Sequence, residues 1–373
     1  MEYVLMNKDI ETLRFDFDEP YIKVENNAML PYAIKDFVLT TGEKDFKGSL
    51  GDISCLKDYL ASRTLNLSRE NAKVILNVTA LPQTLKTDER LKIVFACSGL
   101  SMQDNFWIKK RHGDNRKFDD VCLRKRHLSD ASYDIAILGR HISATAEELS
   151  SDLTTEGMFP KFWHKTDSNV ELWKTDKAGG KVNATCEVLS SNILEQMRCS
   201  HIDYRLVEKD GMIFSVCPCI ANDTTSLVPI QDIMDWHNHI KRGFPKELEI
   251  LIPSFYKDFA NMCVADYILG NTDRHSGNWG VLTDENNKIV SLSPIYDLNQ
   301  ALVSDMLKTR VDIESLVYEP TKTTFDEAVN EWAPYSDLAI DKTQILSVLD
   351  GIETDRIAER IDTVQKIKSK NLE

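Results

Sequence analysis

The chain has 373 residues, of which 42% are hydrophobic and 28% charged, and a formal net charge of −14. That length accommodates about two domains with sizeable cores, and the composition is that of a globular protein, not a disordered or fibrous one. The negative charge opposes sequence-independent binding to nucleic-acid phosphates, so direct nucleic-acid binding is not expected.

Eight cysteines are spread along the chain. None forms a C-x-x-C pair, and the closest two are Cys217 and Cys219, flanking Pro218. They read as reduced packing residues of a cytoplasmic protein, not as a disulfide framework or a zinc site. No segment has the pattern of a signal peptide and no apolar run is long enough to span a bilayer, so no membrane partner is expected.

Residues 1–145 read as an α/β domain. Stretches 4–6, 21–24 and 93–95 are strand-like, and 54–61 and 69–75 are helix-like. The segments 63–69 and 100–109 are the most distinctive here. Residues 109–126 hold eight Lys or Arg side chains, a run that reads first as a solvated face and second as a dock for an acidic partner.

Past residue 150, Gly157 is followed closely by Pro160-Lys161, a place where backbone can approach an anion. Residues 170–174 alternate, which puts Val170, Leu172 and Lys174 on one face of a strand. Ala178-Gly179-Gly180 is a flexible link. Val182, Cys186, Leu189, Ile193 and Met197 then mark one face of a helix that also carries Glu187. Asp210-Gly211 is a two-residue hairpin turn joining strands at 202–207 and 212–216. From residue 230 the pattern is mostly helical, with segments at 230–240, 253–269, 324–332, 343–349 and 354–368.

The densest chemistry lies in residues 267–299. A helix stops at Gly270-Asn271. A polar loop follows with Asp273, His275 and Asn278, then a hairpin over 279–292 turned at 284–287, then Asp297. Helix, polar loop, hairpin and acid in that order are what phosphoryl transfer uses. One Asp accepts the substrate hydroxyl proton, while an Asn five residues on and an Asp past the hairpin hold Mg²⁺ against the phosphates of ATP. Amide and carboxylate oxygens suit Mg²⁺, which keeps several waters. On this reading the fold class is α+β, a bilobal protein-kinase-like fold with a β-rich N-lobe (about 150–228) and a helical C-lobe (about 229–373). A smaller N-terminal α/β domain precedes it, and the kinase domain as a whole takes in 146–373. Lys174 would reach the α/β-phosphates and Leu172 would cover the adenine. Cys217 to Ile220 would be the hinge, and because Pro218 has no N–H the donor to adenine is assigned to the Cys219 amide.

Thr272-Asp273-Arg274-His275-Ser276-Gly277-Asn278 and Tyr296-Asp297-Leu298 resemble the T-D-x-H-x-x-N and Y-D-L segments of the HipA-like serine/threonine kinases. The resemblance is strongest over about residues 150–300. It implies Asp273 as catalytic base, Asn278 and Asp297 as metal ligands, and His275 as a buttress of the loop. It also implies Gly157 in a phosphate-binding segment and Glu187, at the position of an E-V-L pattern, as the partner of Lys174. ATP and Mg²⁺ would be the cofactors. A protein substrate and an antitoxin would be the partners if the chain is the toxin of a toxin–antitoxin pair. Segments 63–69 and 100–109 look like stretches that precede the kinase core in longer members, without bringing functional residues with them. The family can autophosphorylate a residue three positions before the glycine, which here is Thr154, with Thr155 beside it. Two other functions stay open at this point: a small-molecule kinase, and a nucleotide-binding regulator without turnover.

Overall fold

The structure is a computed structural model that describes residues 1–19, 21–35, 50–167, 169–237, 246–309, 311–349 and 352–370. Strands β1 (Tyr3–Asn7), β2 (Ile10–Asp16), β3 (Tyr21–Val24) and β4 (Phe106–Lys110) form an antiparallel sheet in the order β3-β2-β1-β4. Pleating sends successive side chains to opposite faces. Leu5, Leu13 and Phe15 pack with Leu56, Leu60, Leu91 and Val94 from the helices Leu50–Ser62 and Thr87–Ala96. Val4, Met6 and Trp107 share a different core with Leu100, Phe118, Val121 and Trp163. Trp163 belongs to the next sheet, so this second core fastens the two sheets together.

Residues 93–95, expected as a strand, lie in the helix Thr87–Ala96. The cause is packing on two sides. Leu91 and Val94 enter the core of the first sheet, while Ile93 enters a neighbouring core with Leu65, Ile75 and Ile135. A helix wedged between two cores shows a continuous apolar run, which periodicity alone does not separate from a buried strand. The helix expected over 69–75 runs from Ala72 to Val78, starting after Asn71, whose φ of 62° is left-handed. Residues 109–126 are not only a solvated face. Arg124 is buried and donates to the carbonyls of Met102 and Asp104, at 2.9 Å each.

The second sheet comprises β5 (Lys161–Lys165), β6 (Val170–Thr175), β7 (Arg205–Lys209) and β8 (Met212–Pro218), ordered β5-β6-β8-β7. The β7–β8 turn has positive φ at both Asp210 and Gly211, matching the right-handed twist of the strands it joins. Lys161 stands opposite Lys174, Lys174 opposite Ser215, and Leu172 opposite Cys217. Directly paired residues point to the same side, so these side chains share one face of the sheet. The other face carries Phe162, Trp173, Phe214 and Val216, packed with Tyr133, Ile135 and Ile137.

The helical half is built around Phe255–Leu269, whose Phe255 and Phe259 meet Trp332, with ring centroids of Phe259 and Trp332 4.5 Å apart. Gly270, at φ 61°, ends that helix. The hairpin expected over 279–292 forms as β10 (Gly280–Thr283) and β11 (Ile289–Leu292), and β9 (Ser226–Pro229) joins it as a third strand. A side chain at Gly280 would strike the Val228 carbonyl, so the close approach of β9 depends on this glycine. The helix expected over 230–240 spans Ile230–His237, and residues 238–240 lie outside the described residues. Asn287 Nδ2 donates to the Leu30 carbonyl at 2.7 Å, and Tyr32 Oη donates to the Asn287 carbonyl at 3.0 Å, which ties the N-terminal region to the hairpin turn. Among the described residues no helix is long and apolar enough to cross a membrane, and all eight cysteines are free thiols.

Candidate active site

Three elements bring charge to one point. Lys174, near the end of β6, is buried. Its Nζ donates to Glu187 Oε1 at 2.5 Å and to Asp297 Oδ1 at 2.8 Å. Glu187 is fully buried on the helix Val182–Gln196. Its second oxygen accepts from Ser215 Oγ at 2.5 Å, and the Leu298 amide points at Oε1 from 3.3 Å. Each oxygen of this buried carboxylate is therefore paired, the condition under which a buried charge is tolerated. Burial works against charge on Lys174, yet Asp297 and Glu187 outweigh it and raise the ammonium well above the ordinary lysine value. Burial likewise opposes charge on Asp297, but Lys174 and Lys161 hold its carboxyl down to about 2. Asp297 has a φ of 55°, an uncommon left-handed backbone for a non-glycine residue. Its amide is held by Tyr204 Oη at 3.1 Å.

Asp273 and Asn278 lie across a tight loop. Asn278 Nδ2 donates to the Asp273 carbonyl at 2.8 Å and approaches Asp273 Oδ2 at 3.4 Å. With its NH₂ so committed, the Asn278 amide oxygen is the end left to meet a cation. Burial is the main cause that pushes the Asp273 carboxyl above its usual range, and the charge of Asp297 adds to it. A raised carboxyl is a better proton acceptor. His275 itself is exposed, and its Nδ1 accepts the Gly277 amide at 3.0 Å while its carbonyl accepts from Asn278 N at 2.9 Å. It shapes the loop from outside.

The residue that sets the loop is one the sequence reading passed over. Arg274 is buried and grips Asp266 with two bonds of 2.9 Å each. It also donates to the carbonyls of Asn278 at 2.5 Å and Tyr296 at 2.8 Å. One guanidinium thus joins the Phe255–Leu269 helix, the Asp273 loop and the strand leading to Asp297, using the fork geometry that lysine lacks. Asp266 takes two further bonds, from Asn271 Nδ2 at 2.8 Å and Tyr318 Oη at 2.9 Å. Arg274 sits inside the quoted T-D-R-H motif, but a variable position of a motif carries no signal of its own.

Gly157 has a φ of 93°, and a side chain there would collide with Lys161 Nζ. Lys161 is buried opposite Lys174, and burial pushes its ammonium down to about 8, with Asp297 opposing that shift and Lys174 adding to it. Two lysines, Lys161 and Lys174, therefore line this face. The Gly157 segment is anchored by Arg69, which donates to the Asp152 carbonyl at 3.0 Å and to the Lys161 carbonyl. Segment 63–69, to which no role was attached, thus holds the loop. Thr154 is buried and its hydroxyl donates to the Ser150 carbonyl at 2.8 Å; Thr155 Oγ1 donates to the Ser151 carbonyl and accepts from Trp163 Nε1 at 2.7 Å. Neither hydroxyl is free while the segment is seated.

The hinge assignment needs a correction. The Cys219 amide donates to the Val170 carbonyl at 2.8 Å, extending the β6–β8 ladder by one rung, so it is not available to adenine. Cys219 Sγ turns toward the Met102 carbonyl, away from the cleft. Cys217 stays on the cleft face in an apolar patch with Val188, Ile202 and Tyr204, against which Leu172, Ile220 and Tyr296 pack. Burial pushes the Cys217 thiol up to about 12 and the Cys219 thiol up to about 11, which removes both as thiolate nucleophiles near neutral pH.

Comparison with known proteins gives several likenesses. The family model described as phosphatidylinositol 3- and 4-kinase matches residues 141–317. Serine/threonine-protein kinase CtkA of Helicobacter pylori is 50% identical over 44 residues, which is 12% of this chain and 14% of that protein's length. Its crystal structure, titled as that of a proinflammatory kinase, aligns with 58% of this chain and 92% of its own at 17% identity and a TM-score of 0.44. A chain of the Shewanella oneidensis MR-1 toxin–antitoxin complex of HipA, HipB and operator DNA aligns over 99% of this chain and 94% of its own. The identity there is 12% and the TM-score 0.55. This chain is kinase-like, with a mixed α/β kinase-like fold.

Proposed function

We propose that the chain is an ATP- and Mg²⁺-dependent serine/threonine protein kinase of the HipA-like kind. The observation that carries this reading is the bridge from Lys174 to both Glu187 and Asp297, at 2.5 and 2.8 Å. An ammonium held beside a carboxylate supports the reading, because a kinase site directs such a cation to phosphate and such a carboxylate to metal. The donor set fits the metal: the amide oxygen of Asn278 and the carboxylate of Asp297 are hard oxygen ligands with room for water, as Mg²⁺ prefers.

Bound Mg²⁺ and ATP supply the phosphoryl group and neutralise the charge that spreads over it during transfer. Asp273 orients the substrate hydroxyl and accepts its proton. Lys174, held straight by Glu187, and Lys161, under the Gly157 turn, present two cations to phosphate oxygens. The patch of Leu172, Cys217, Ile220 and Tyr296 takes the flat base and keeps water from it. Arg274 keeps Asp273, Asn278 and Asp297 at fixed separations.

On this reading residues 1–145 are a domain that supports the kinase part, a protein is the substrate, the location is cytoplasmic, and an antitoxin is a candidate partner. The match to the phosphatidylinositol kinase family model favours one second reading, a hydroxylated small molecule or lipid headgroup as acceptor. Incubation with ATP, Mg²⁺, a cell lysate and phosphatidylinositol vesicles separates them. Phosphoserine or phosphothreonine peptides above the Asp273→Asn control support the protein kinase. Phosphorylated inositol lipid with no new phosphopeptides replaces it with the second reading.

A further inference from the structure

Outside the cleft, one group of side chains has the chemistry and spacing of a metal site. Glu195, in the last turn of the helix Val182–Gln196, and His201 and Asp203, in the connection to β7, bring their ligand atoms within 4.8 Å of one another. Clustered acids alone would mean little. The informative member is His201. Its side chain is only 3% exposed, and its Nε2 is buried with no hydrogen-bond partner. Its Nδ1 lies 2.7 Å from the Cys199 carbonyl. A carbonyl only accepts, so Nδ1 carries the proton, and in the neutral ring Nε2 is the nitrogen with the lone pair. A histidine fixed in this way by a backbone carbonyl is the usual arrangement of a metal-binding imidazole.

The His201–Asp203 distance agrees. His201 Nε2 and Asp203 Oδ1 are 3.5 Å apart, and Nε2 counts among the buried atoms without a hydrogen-bond partner. Ligands about 2.0–2.2 Å from one tetrahedral Zn²⁺ stand roughly 3.3–3.6 Å from each other. Glu195 also places a negative charge at the C-terminal end of a helix, where the helix dipole disfavours it, and a cation removes that cost.

We propose that Glu195, His201 and Asp203 form a three-ligand site for a borderline divalent cation of the Zn²⁺ class, with water in the fourth position. One nitrogen and two carboxylates match that ion better than Mg²⁺, which takes oxygen ligands. The position gives the site a consequence. Its helix carries Glu187. The His201 backbone bridges Ile295, with Ile202 N donating to the Ile295 carbonyl at 2.9 Å and Ile295 N to the Ser200 carbonyl at 3.0 Å. Ile295 lies two residues before Asp297. A bound ion therefore ties the Glu187 helix to the segment that leads to Asp297, and stiffens the frame of Lys174 without touching it.

The test is titration of the full chain with Zn²⁺, nucleotide-free, in excess Mg²⁺ so that hard-oxygen sites are filled. Wild type is compared with His201→Ala, Asp203→Asn and Glu195→Gln. Asp203, 89% exposed, serves as the variant that leaves folding intact if His201→Ala does not. One saturable Zn²⁺ per chain, weakened at least about tenfold in Asp203→Asn and in Glu195→Gln, is the expected result. Absence of a stoichiometric site, or a site with unchanged affinity in both variants, overturns the proposal. Either outcome is independent of whether the chain transfers phosphate.

Discussion

Lys174 Nζ lies 2.8 Å from Asp297 Oδ1, across 123 residues of sequence, and the same nitrogen holds Glu187 at 2.5 Å. Strand β6, the Glu187 helix and the segment after β11 meet in this one ammonium. Whatever moves any of the three moves the others, and this coupling governs the first prediction.

Lys174→Met leaves two carboxylates facing each other without their cation. The stability loss should be about 3–5 kcal/mol, the usual scale for breaking a buried pair, measured as a lower urea midpoint. The pH dependence follows from Asp297, held at about 2 against an ordinary 3.8. A carboxylate depressed in the folded state binds fewer protons there than in the unfolded chain. Its stabilisation is complete above about pH 4 and fades as pH falls toward 2. Wild type should lose stability across that acid window, and Lys174→Met should lose much less there.

Arg274→Lys keeps the charge and removes the fork. It should cost at least about 2 kcal/mol, lower turnover and weaken Mg²⁺-ATP binding, because Asn278 and Asp297 lose the group that sets their separation. Chemical denaturation and steady-state kinetics read these effects. Wild-type stability and turnover in this variant would show that the Asp266 grip is dispensable.

Lys161 separates stability from function. Its ammonium sits near 8 where a free lysine lies at 10.5. A base depressed in the folded state makes the unfolded chain bind more protons between those values, so stability should rise with pH through that window. At neutral pH the buried charge is a cost. Lys161→Met should therefore raise stability by about 1–3 kcal/mol, read as a higher urea midpoint, while weakening ATP binding. A variant that is less stable and binds ATP as wild type does would contradict both halves.

The seated Thr154 hydroxyl is buried and bonded to the Ser150 carbonyl at 2.8 Å, so it must leave that place to take a phosphate. A phosphate adds about −1.5 to −2 charges near pH 7, so modification at Thr154 or Thr155 should come with release of residues 150–160 and loss of ATP binding. Mass spectrometry paired with limited proteolysis tests this. Phosphate on either threonine should appear only in protein with Asp273 intact and should coincide with new cleavage in that segment. Phosphorylated protein that keeps full ATP affinity would refute the linkage.

Much of the site lies in short-range pattern. Asp273, His275 and Asn278 share one loop, and Lys174 and Glu187 stand on a strand and a helix whose periodicities are plain. The missing parts were relations between distant residues. The Arg274–Asp266 grip, the anchoring of Asp152 by Arg69 and the placement of Lys161 beneath Gly157 depend on which buried groups meet, and no local spacing encodes that. The Cys219 amide went astray for the opposite reason. Pro218 has no donor, as its ring dictates, but strand pairing continues one rung further, to Val170, than the sequence pattern suggests. The helix over 93–95 was hidden because two cores claim neighbouring faces.

The most direct measurement is intact mass of purified protein after incubation with Mg²⁺ and ATP in the presence of a serine/threonine peptide library, for wild type and Asp273→Asn. The account predicts phosphate on hydroxyl side chains with wild type and a rate at least about 10²-fold lower with Asp273→Asn, while both bind ATP alike. Equal turnover in the two proteins, or ATP binding without any phosphoryl transfer by wild type, would contradict it.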